Sequence, residues 1–225
     1  MSNTSTNRLR SAAGMSEVQS SGRLYDRAPK RLLDVVLALT MLPMILPIVA
    51  LLYVVVRLDG GAGFFGHPRV GRNGETFRCW KLRTMVPDAQ ERLEHLLATD
   101  PIARAEWDKD RKLRNDPRVT RFGDFLRRSS LDELPQIWNV LKGEMSLIGP
   151  RPVTLDELDR YGGHKWVYLS LRPGVTGLWQ VSGRNDVSYD ERVQLDASYY
   201  NELGLRSDLR ILRQTVGAVL GRTGC

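Results

Sequence analysis

The residues of this chain best suited to chemistry lie in Arg127-Arg-Ser-Ser-Leu-Asp-Glu-Leu-Pro-Gln136. Ser130, followed three positions later by Glu133, matches a capping box. Pro135 falls inside the first helical turn, where its missing donor matters least. The pattern therefore places Asp132 and Glu133 at a helix amino terminus. The positive end of the macrodipole favours negative charge there, which keeps a carboxylate ionised and able to attack or to bind a metal. Arg127 and Arg128 lie about one turn before the acids, and Arg151 sits nineteen residues after Asp132 in the stiff turn Gly149-Pro-Arg-Pro152. Arginine contacts phosphoryl oxygens in a bidentate manner, and carboxylates hold Mg²⁺ against the same oxygens. The set suits a phosphate-bearing substrate. Two simpler readings stay open at this point: acids that only cap a helix, and an arginine–carboxylate network on a surface.

Something must carry this site, and Val35–Val56 constrains what. Those 22 residues hold no charge and contain Pro43 and Pro47 near the middle. About 20 apolar residues suffice to cross a bilayer, but each internal proline removes a helical donor and crowds the preceding turn. Half of the segment reaches only about 17 Å at 1.5 Å per residue, against a hydrocarbon core of about 30 Å. A chain that turns at the prolines enters and leaves by one face. Arg23, Arg27, Lys30 and Arg31 precede the segment and Arg57, Arg69 and Arg72 follow it, a balance too even to force the ends to opposite sides. Both flanks read as anchors to an anionic cytoplasmic surface. A Pro-kinked spanning helix and a buried core helix remain as alternatives. A cleaved signal peptide is excluded by the length of the apolar run and by the lack of a small-residue cleavage site.

The charge is unevenly spread. Of the net +7, residues 1–31 supply +4 from six basic and two acidic side chains. That Ser-, Thr-, Asn- and Gly-rich stretch has little to bury, and residues 1–29 read as a disordered basic tail. The remaining +3 gives little support to a nucleic-acid binder. Cys79 and Cys225 form no framework and no metal pattern, which fits a reducing compartment. His67, His95 and His164 are scattered and indicate no histidine metal site.

Residues 59–225 are enough for one globular unit. Asn73-Gly74 is a hairpin signal between Phe64–Val70 and Glu75–Met85. Helices are expected at Asp88–Ala98 (with Leu93, Leu96 and Leu97 on one face), Phe122–Arg128 and Leu131–Leu141, and a buried strand at Met145–Ile148. Arg172–Asn185 reads as loop. From Leu205, the positions Leu205, Leu209, Leu212, Val216 and Val219 follow helical spacing with Arg206, Arg210 and Arg213 elsewhere on the wheel. Such a helix either lies in a membrane interface or packs its stripe on a core.

Taken together, Lys30-Arg-Leu-Leu-Asp34, Phe77–Met85, Ser130–Gln136, Lys142–Pro152 and Arg172–Asn185 resemble the bacterial sugar transferase family, the monotopic phosphoglycosyl transferases. The resemblance runs from about Lys30 to the C-terminus. Through Arg111–Thr120 and Ser182–Tyr189 it is similar to the ExoY-type undecaprenyl-phosphate galactose phosphotransferases of that family. One departure concerns the break in the membrane helix, where Leu46-Pro47 stands in place of Ser-Pro, with Pro43 in addition.

The resemblance implies an α/β fold of the mainly helical α+β kind. A re-entrant membrane helix-break-helix (30–58) would carry a compact cytoplasmic catalytic domain (59–225) with interfacial amphipathic helices. It implies transfer of a sugar 1-phosphate, galactose or glucose, from a UDP-sugar to undecaprenyl phosphate in the inner membrane, with release of UMP. Asp132 would attack phosphorus, and Asp132 and Glu133 would hold Mg²⁺. Arg127 and Arg151 match arginines near the phosphates, Asp208 an aspartate needed for activity, and Arg184 and Asp196 lie in matching motifs. Two rival functions are an inactive membrane-anchored scaffold of a polysaccharide assembly complex and a basic nucleic-acid binder lacking any recognised motif. Oligomeric state is open, a homodimer included.

Overall fold

A computed structural model describes residues 24–26, 28–110, 113–183 and 187–220. The expected tail lies mostly outside them, and Arg184 does too. Tyr25 and Asp26 are described, and they are packed: the Tyr25 hydroxyl donates to Asp208 Oδ2 at 2.9 Å, and Asp26 pairs with Arg72 at 2.9 Å.

Helix α1 (Pro29–Arg57) starts with a proline at its first position, where φ is already helical. It continues through Pro43 and Pro47 without ending at either, so the helix-break-helix expected over 30–58 is one uninterrupted helix. Each proline leaves one carbonyl, those of Leu39 and Pro43, without its ladder donor. The Thr40 hydroxyl bonds Val36 O at 2.8 Å, one turn too early to serve them. The helix is apolar and long enough to cross a membrane, yet only 17% of its most apolar window is buried. Leu32, Val36, Leu39, Met44, Leu46, Leu51 and Val54 are all exposed, which removes the reading as a core helix of a soluble protein.

A narrow stripe of α1 does meet the folded unit, along most of the helix and not only at its two ends. Ala38 and Ile45 enter the main core with Ile137, Val140, Met145, Ile148, Tyr199 and Ile211. Leu52 and Val56 enter a second cluster with Leu82 and Leu126. Polar groups fasten the same two ends. Lys30 Nζ meets Asp208 Oδ2 at 2.6 Å. Asp34 Oδ1 accepts from Ser146 Oγ and Leu147 N, both at 3.0 Å. At the far end Arg83 donates to Val56 O at 3.0 Å and pairs with Asp59.

Of the seven flanking cations expected to anchor at an anionic cytoplasmic surface, four have protein partners instead. Lys30, Arg69 and Arg72 are paired with Asp208, Glu157 and Asp26. Arg31 caps α5 (Gln136–Lys142), donating to Val140 O at 2.5 Å and Leu141 O at 2.8 Å. Orphan carbonyls at a helix C-terminus are ready acceptors for a guanidinium.

Strands β1 (Phe64–Val70) and β2 (Thr76–Leu82) form an antiparallel hairpin, with Phe64 opposite Leu82 and Val70 opposite Thr76. Asn73 and Gly74 both take positive φ, 60° and 84°, as a tight hairpin turn demands. Phe77, Cys79 and Leu82 point inward. Helices α2 (Ala89–Thr99) and α3 (Pro101–Asp110) pack mainly on each other, and α4 (Arg121–Arg128) is capped by the Thr120 hydroxyl. Strand β3 (Ser146–Ile148) is fully buried and pairs in parallel with β4 (Gly174–Thr176). The crossover between them carries α6 (Leu155–Asp159) and α7 (Lys165–Ser170).

The segment expected as loop therefore holds β4 and the short α8 (Leu178–Ser182). Its pairing with β3 is long-range and leaves no local periodicity. Two more helices follow, α9 (Tyr189–Asn201) and α10 (Leu205–Leu220). On α10 Ser207, Asp208 and Ile211 are buried and Leu212 packs on the core, while Leu205, Leu209 and Val216 are exposed. Most of the apolar stripe is thus not core. The architecture is mainly helical, with two small two-stranded sheets.

Arg31→Ala should remove both caps of α5 and lower stability by about 1–3 kcal/mol. Arg31→Lys should restore only part of this, because an ammonium cannot fork across two carbonyls. Thermal unfolding of the purified protein in detergent checks both.

Candidate active site

The acidic pair does not begin an α-helix. Ser130 takes the left-handed conformation, φ 57° and ψ 17°, and makes no side-chain cap. Leu131–Glu133 is one turn of 3-10 helix, and α5 starts only after Pro135. The expected capping box fails because the Glu133 carboxylate is drawn elsewhere. Its Oε1 meets Lys81 Nζ at 2.6 Å and Arg151 Nη2 at 3.1 Å. A serine at positive φ is a strained choice, worth about 1 kcal/mol, of the kind concentrated at functional turns. It separates the end of α4 from the 3-10 turn that carries the acids.

Lys81 was absent from the sequence-based set. It sits on β2 and reaches both acids, lying 3.6 Å from Asp132 Oδ2. What brings β2 to this turn is Asn139, fully buried on α5. Its Oδ1 accepts from Trp80 N at 3.0 Å and its Nδ2 donates to Arg78 O at 2.7 Å. The side chain thus bonds to β2 as a neighbouring strand would, one residue before Lys81. The polar run Arg78-Cys-Trp-Lys81 carried a hint in its lone lysine on the inner arm of a hairpin. Nothing local pointed to Asn139.

The two carboxyls are displaced in opposite directions. Burial pushes Asp132 up; Lys81 pulls it down and the Glu133 charge pushes it up again, and the result is a raised value. Burial also works to raise Glu133, but Arg151 and Lys81 overcome it and hold the group at about 2. Adjacent acids driven apart in this way divide their work. Glu133 is a permanent anion tied to two cations. Asp132 is the more basic and so the better nucleophile. It is 7% exposed, makes no hydrogen bond to any described residue, and its oxygens are not sealed from solvent.

Arg151 is part-exposed and bound to Glu133. Arg127 is different: its Nε donates to Thr84 Oγ1 at 2.9 Å, and it forms no ion pair among the described residues. Its charge still reaches Asp132, lowering that carboxyl slightly. No third His, Cys, Asp or Glu joins the acids to complete a metal cage among the described residues. Two neighbouring carboxylates, one without a hydrogen bond, fit an ion of the Mg²⁺ type that takes its other ligands from water and substrate phosphates.

The sequence model of the bacterial sugar transferase family matches residues 25–222. The chain belongs to that family. It is 54% identical over 199 residues to an undecaprenyl-phosphate galactose phosphotransferase of Salmonella typhimurium, covering 88% of this chain and 42% of that protein. It is 49% identical over 191 residues to the exopolysaccharide production protein ExoY of Rhizobium meliloti, covering 84% of each. To a UDP-glucose:undecaprenyl-phosphate glucose-1-phosphate transferase of Escherichia coli it is 34% identical over 200 residues, 85% of this chain and 40% of that one. The chain thus spans about two fifths of the length of several relatives that it matches.

Within this family member, the two other described candidates, Asp208 and Asp196, share no side-chain partner with the acidic turn among the described residues. Asp208 is fully buried and serves Lys30, Tyr25 and the Tyr199 hydroxyl, the last at 2.7 Å. It shares no side-chain partner with Asp132 or Glu133 among the described residues. Its place is the fastening of α1. Asp196 is 1% exposed, and its Oδ2 accepts from the Tyr161 hydroxyl at 2.8 Å inside a cluster with Val153, Leu158, Tyr168 and Val193. This encloses it in the protein interior, where its Oδ1 has no hydrogen-bond partner among the described residues. Burial pushes its carboxyl up to about 7, against the lowering effect of the Tyr161 bond.

Lys30→Met should strand Asp208 as an unpaired buried charge and cost about 3–5 kcal/mol, part of which Lys30→Met/Asp208→Asn should recover. Thermal unfolding measures both. For Asp196 the sign is that of an acid with a raised folded pKa. The native state holds a proton that the unfolded chain releases above its ordinary value near 3.8, so the contribution to stability falls as pH climbs from about 4 to about 7. Asp196→Asn, which keeps the acceptor for Tyr161, should flatten that part of the stability–pH curve relative to wild type. Parallel curves for the two proteins would refute the protonation of Asp196.

Proposed function

We propose that this protein transfers a sugar 1-phosphate, galactose or glucose, from a UDP-sugar to undecaprenyl phosphate as the initiating step of exopolysaccharide synthesis. The observation that carries the reading is the asymmetric acid pair: an unbonded, basic Asp132 beside an anionic Glu133 ringed by Lys81, Arg151 and Arg127. A carboxylate oxygen of Asp132 attacks the sugar-linked phosphorus, and the bond from that phosphorus to the bridging oxygen breaks. UMP leaves with the electron pair. The phosphosugar now rests on Asp132 as an acyl phosphate, as in other nucleophilic phosphoryl transfers by carboxylates. A phosphate oxygen of the lipid then attacks the same phosphorus, freeing Asp132 and yielding a lipid-linked sugar diphosphate. Asp132 and Glu133 would hold Mg²⁺, which when bound offsets phosphate charge. Arg127 and Arg151 orient the phosphoryl oxygens.

The donor is a soluble anion and the acceptor phosphate lies at headgroup level, so the acids must stand at the bilayer surface. Support for a re-entrant, monotopic α1 comes from its two fastened ends. A spanning helix separates its ends by about 30 Å of hydrocarbon, and a polar domain cannot follow both. With Lys30 and Asp34 at one end and Val56 at the other tied to one folded unit, both ends stay on the cytoplasmic face. The exposed Leu205, Leu209 and Val216 of α10 meet the interface beside it.

UMP release from UDP-galactose or UDP-glucose, by purified protein with Mg²⁺ and undecaprenyl phosphate, tests the reaction. Without lipid a single burst of UMP is expected, and label from the sugar phosphate should remain on the protein. Asp132→Asn should abolish both, a loss of about 10³-fold or more. A protein that binds membranes and releases no UMP would be a scaffold instead.

A further inference from the structure

Of the three cations around the acids, Lys81 and Arg151 arrive already engaged by Glu133. Arg127 alone has both terminal nitrogens without an acceptor among the described residues, and what holds it is Thr84. We propose that Thr84 is a positioning residue: its hydroxyl takes the Nε hydrogen and so turns the free fork of Arg127 toward phosphoryl oxygens at Asp132. This rests on the reaction proposed above, and deepens it by naming the group that sets the phosphate clamp.

The geometry around Thr84 is built rather than incidental. Thr84 is 8% exposed and lies just beyond the end of β2. Its carbonyl accepts from Thr120 N at 3.1 Å, while the Thr120 hydroxyl caps α4 by accepting from Gly123 N at 2.8 Å. Gly123 is pressed so closely on Thr84 that any Cβ there would overlap the Thr84 carbonyl. Met85 and Val119 form a bridge alongside. The start of α4 is thereby pinned to the residue that receives Arg127 one turn later. A guanidinium fixed at Nε presents its remaining pair of N–H groups as a planar fork, the form that matches a phosphoryl group. An unrestrained arginine would lose rotamer freedom on each binding event.

Phosphoryl oxygens reach this site from two sources, the nucleotide diphosphate and the lipid phosphate, and steady-state kinetics separates them. Thr84→Val keeps the shape and removes the hydroxyl. It should raise the KM for either the UDP-sugar or undecaprenyl phosphate by about tenfold, the worth of one charged hydrogen bond, with a smaller change in kcat. Thr84→Ser should restore that KM. In an Arg127→Ala background Thr84→Val should add nothing to the same KM, which a purely structural role would not produce. Unchanged KM values for both substrates in Thr84→Val, or additive losses in the double variant, would overturn the assignment. Should Thr84→Val not fold, Thr84→Ala is read in the same assay. If the wild-type protein shows no turnover, the proposed reaction fails separately, and calorimetric titration with UDP decides for Thr84. Weaker UDP binding by the Thr84 variant supports it, and equal binding or none by the wild type overturns it.

Discussion

A helix that is greasy on most of its surface can stay attached to a polar domain only through a few strong contacts, and here these begin with Lys30 and Asp208. Both side chains are removed from water, and their 2.6 Å contact is completed by the Tyr25 and Tyr199 hydroxyls. Buried ions are costly unless they are paired and hydrogen-bonded, and here Asp208 accepts from Lys30, Tyr25 and Tyr199. One turn on, Asp34 receives the amide and hydroxyl at β3, and Arg31 closes the end of α5. The apolar stripe of α1 then needs to cover only a narrow seam, leaving the rest of the helix exposed.

This docking is continuous with the site. Helix α5, capped by Arg31 at its end, begins directly after the Asp132–Glu133 turn, and its Asn139 fixes the backbone of β2 beside Lys81. From the membrane helix to the acids the route is therefore one helix long. Asp208 belongs to this support and not to the acid pair.

The electrostatics of the site follow from unequal sharing of cations. Glu133 receives the short contacts of Lys81 and Arg151 and sits far below the ordinary carboxyl range, whereas Asp132 has burial and a charged neighbour acting on it, which Lys81, Arg151 and Arg127 only partly offset. The strained Ser130 makes this possible by breaking the helix before the acids. In the capped helix that the local pattern suggests, Glu133 would fold back on the Ser130 amide and the two acids would resemble each other.

Much of this was legible in the residues themselves. The hairpin at Asn73-Gly74, the short helix ahead of the acids, the buried strand before Gly149 and the apolar segment with its prolines all rest on local preferences: turn chemistry, periodicity and the length of an uncharged run. The acids stood out through a capping-box spacing that the fold does not form, and Arg151 through the stiff Gly-Pro-Arg-Pro turn that holds it. Tertiary structure alone decided the rest. The partners of Lys30, Arg31, Arg69 and Arg72, the enclosure of Asp196, the pairing of β3 with β4 and the roles of Lys81, Asn139 and Thr84 all join positions far apart in the chain. Such contacts are chosen by packing and by the need to satisfy every buried polar group, and neither leaves a periodic trace in the sequence.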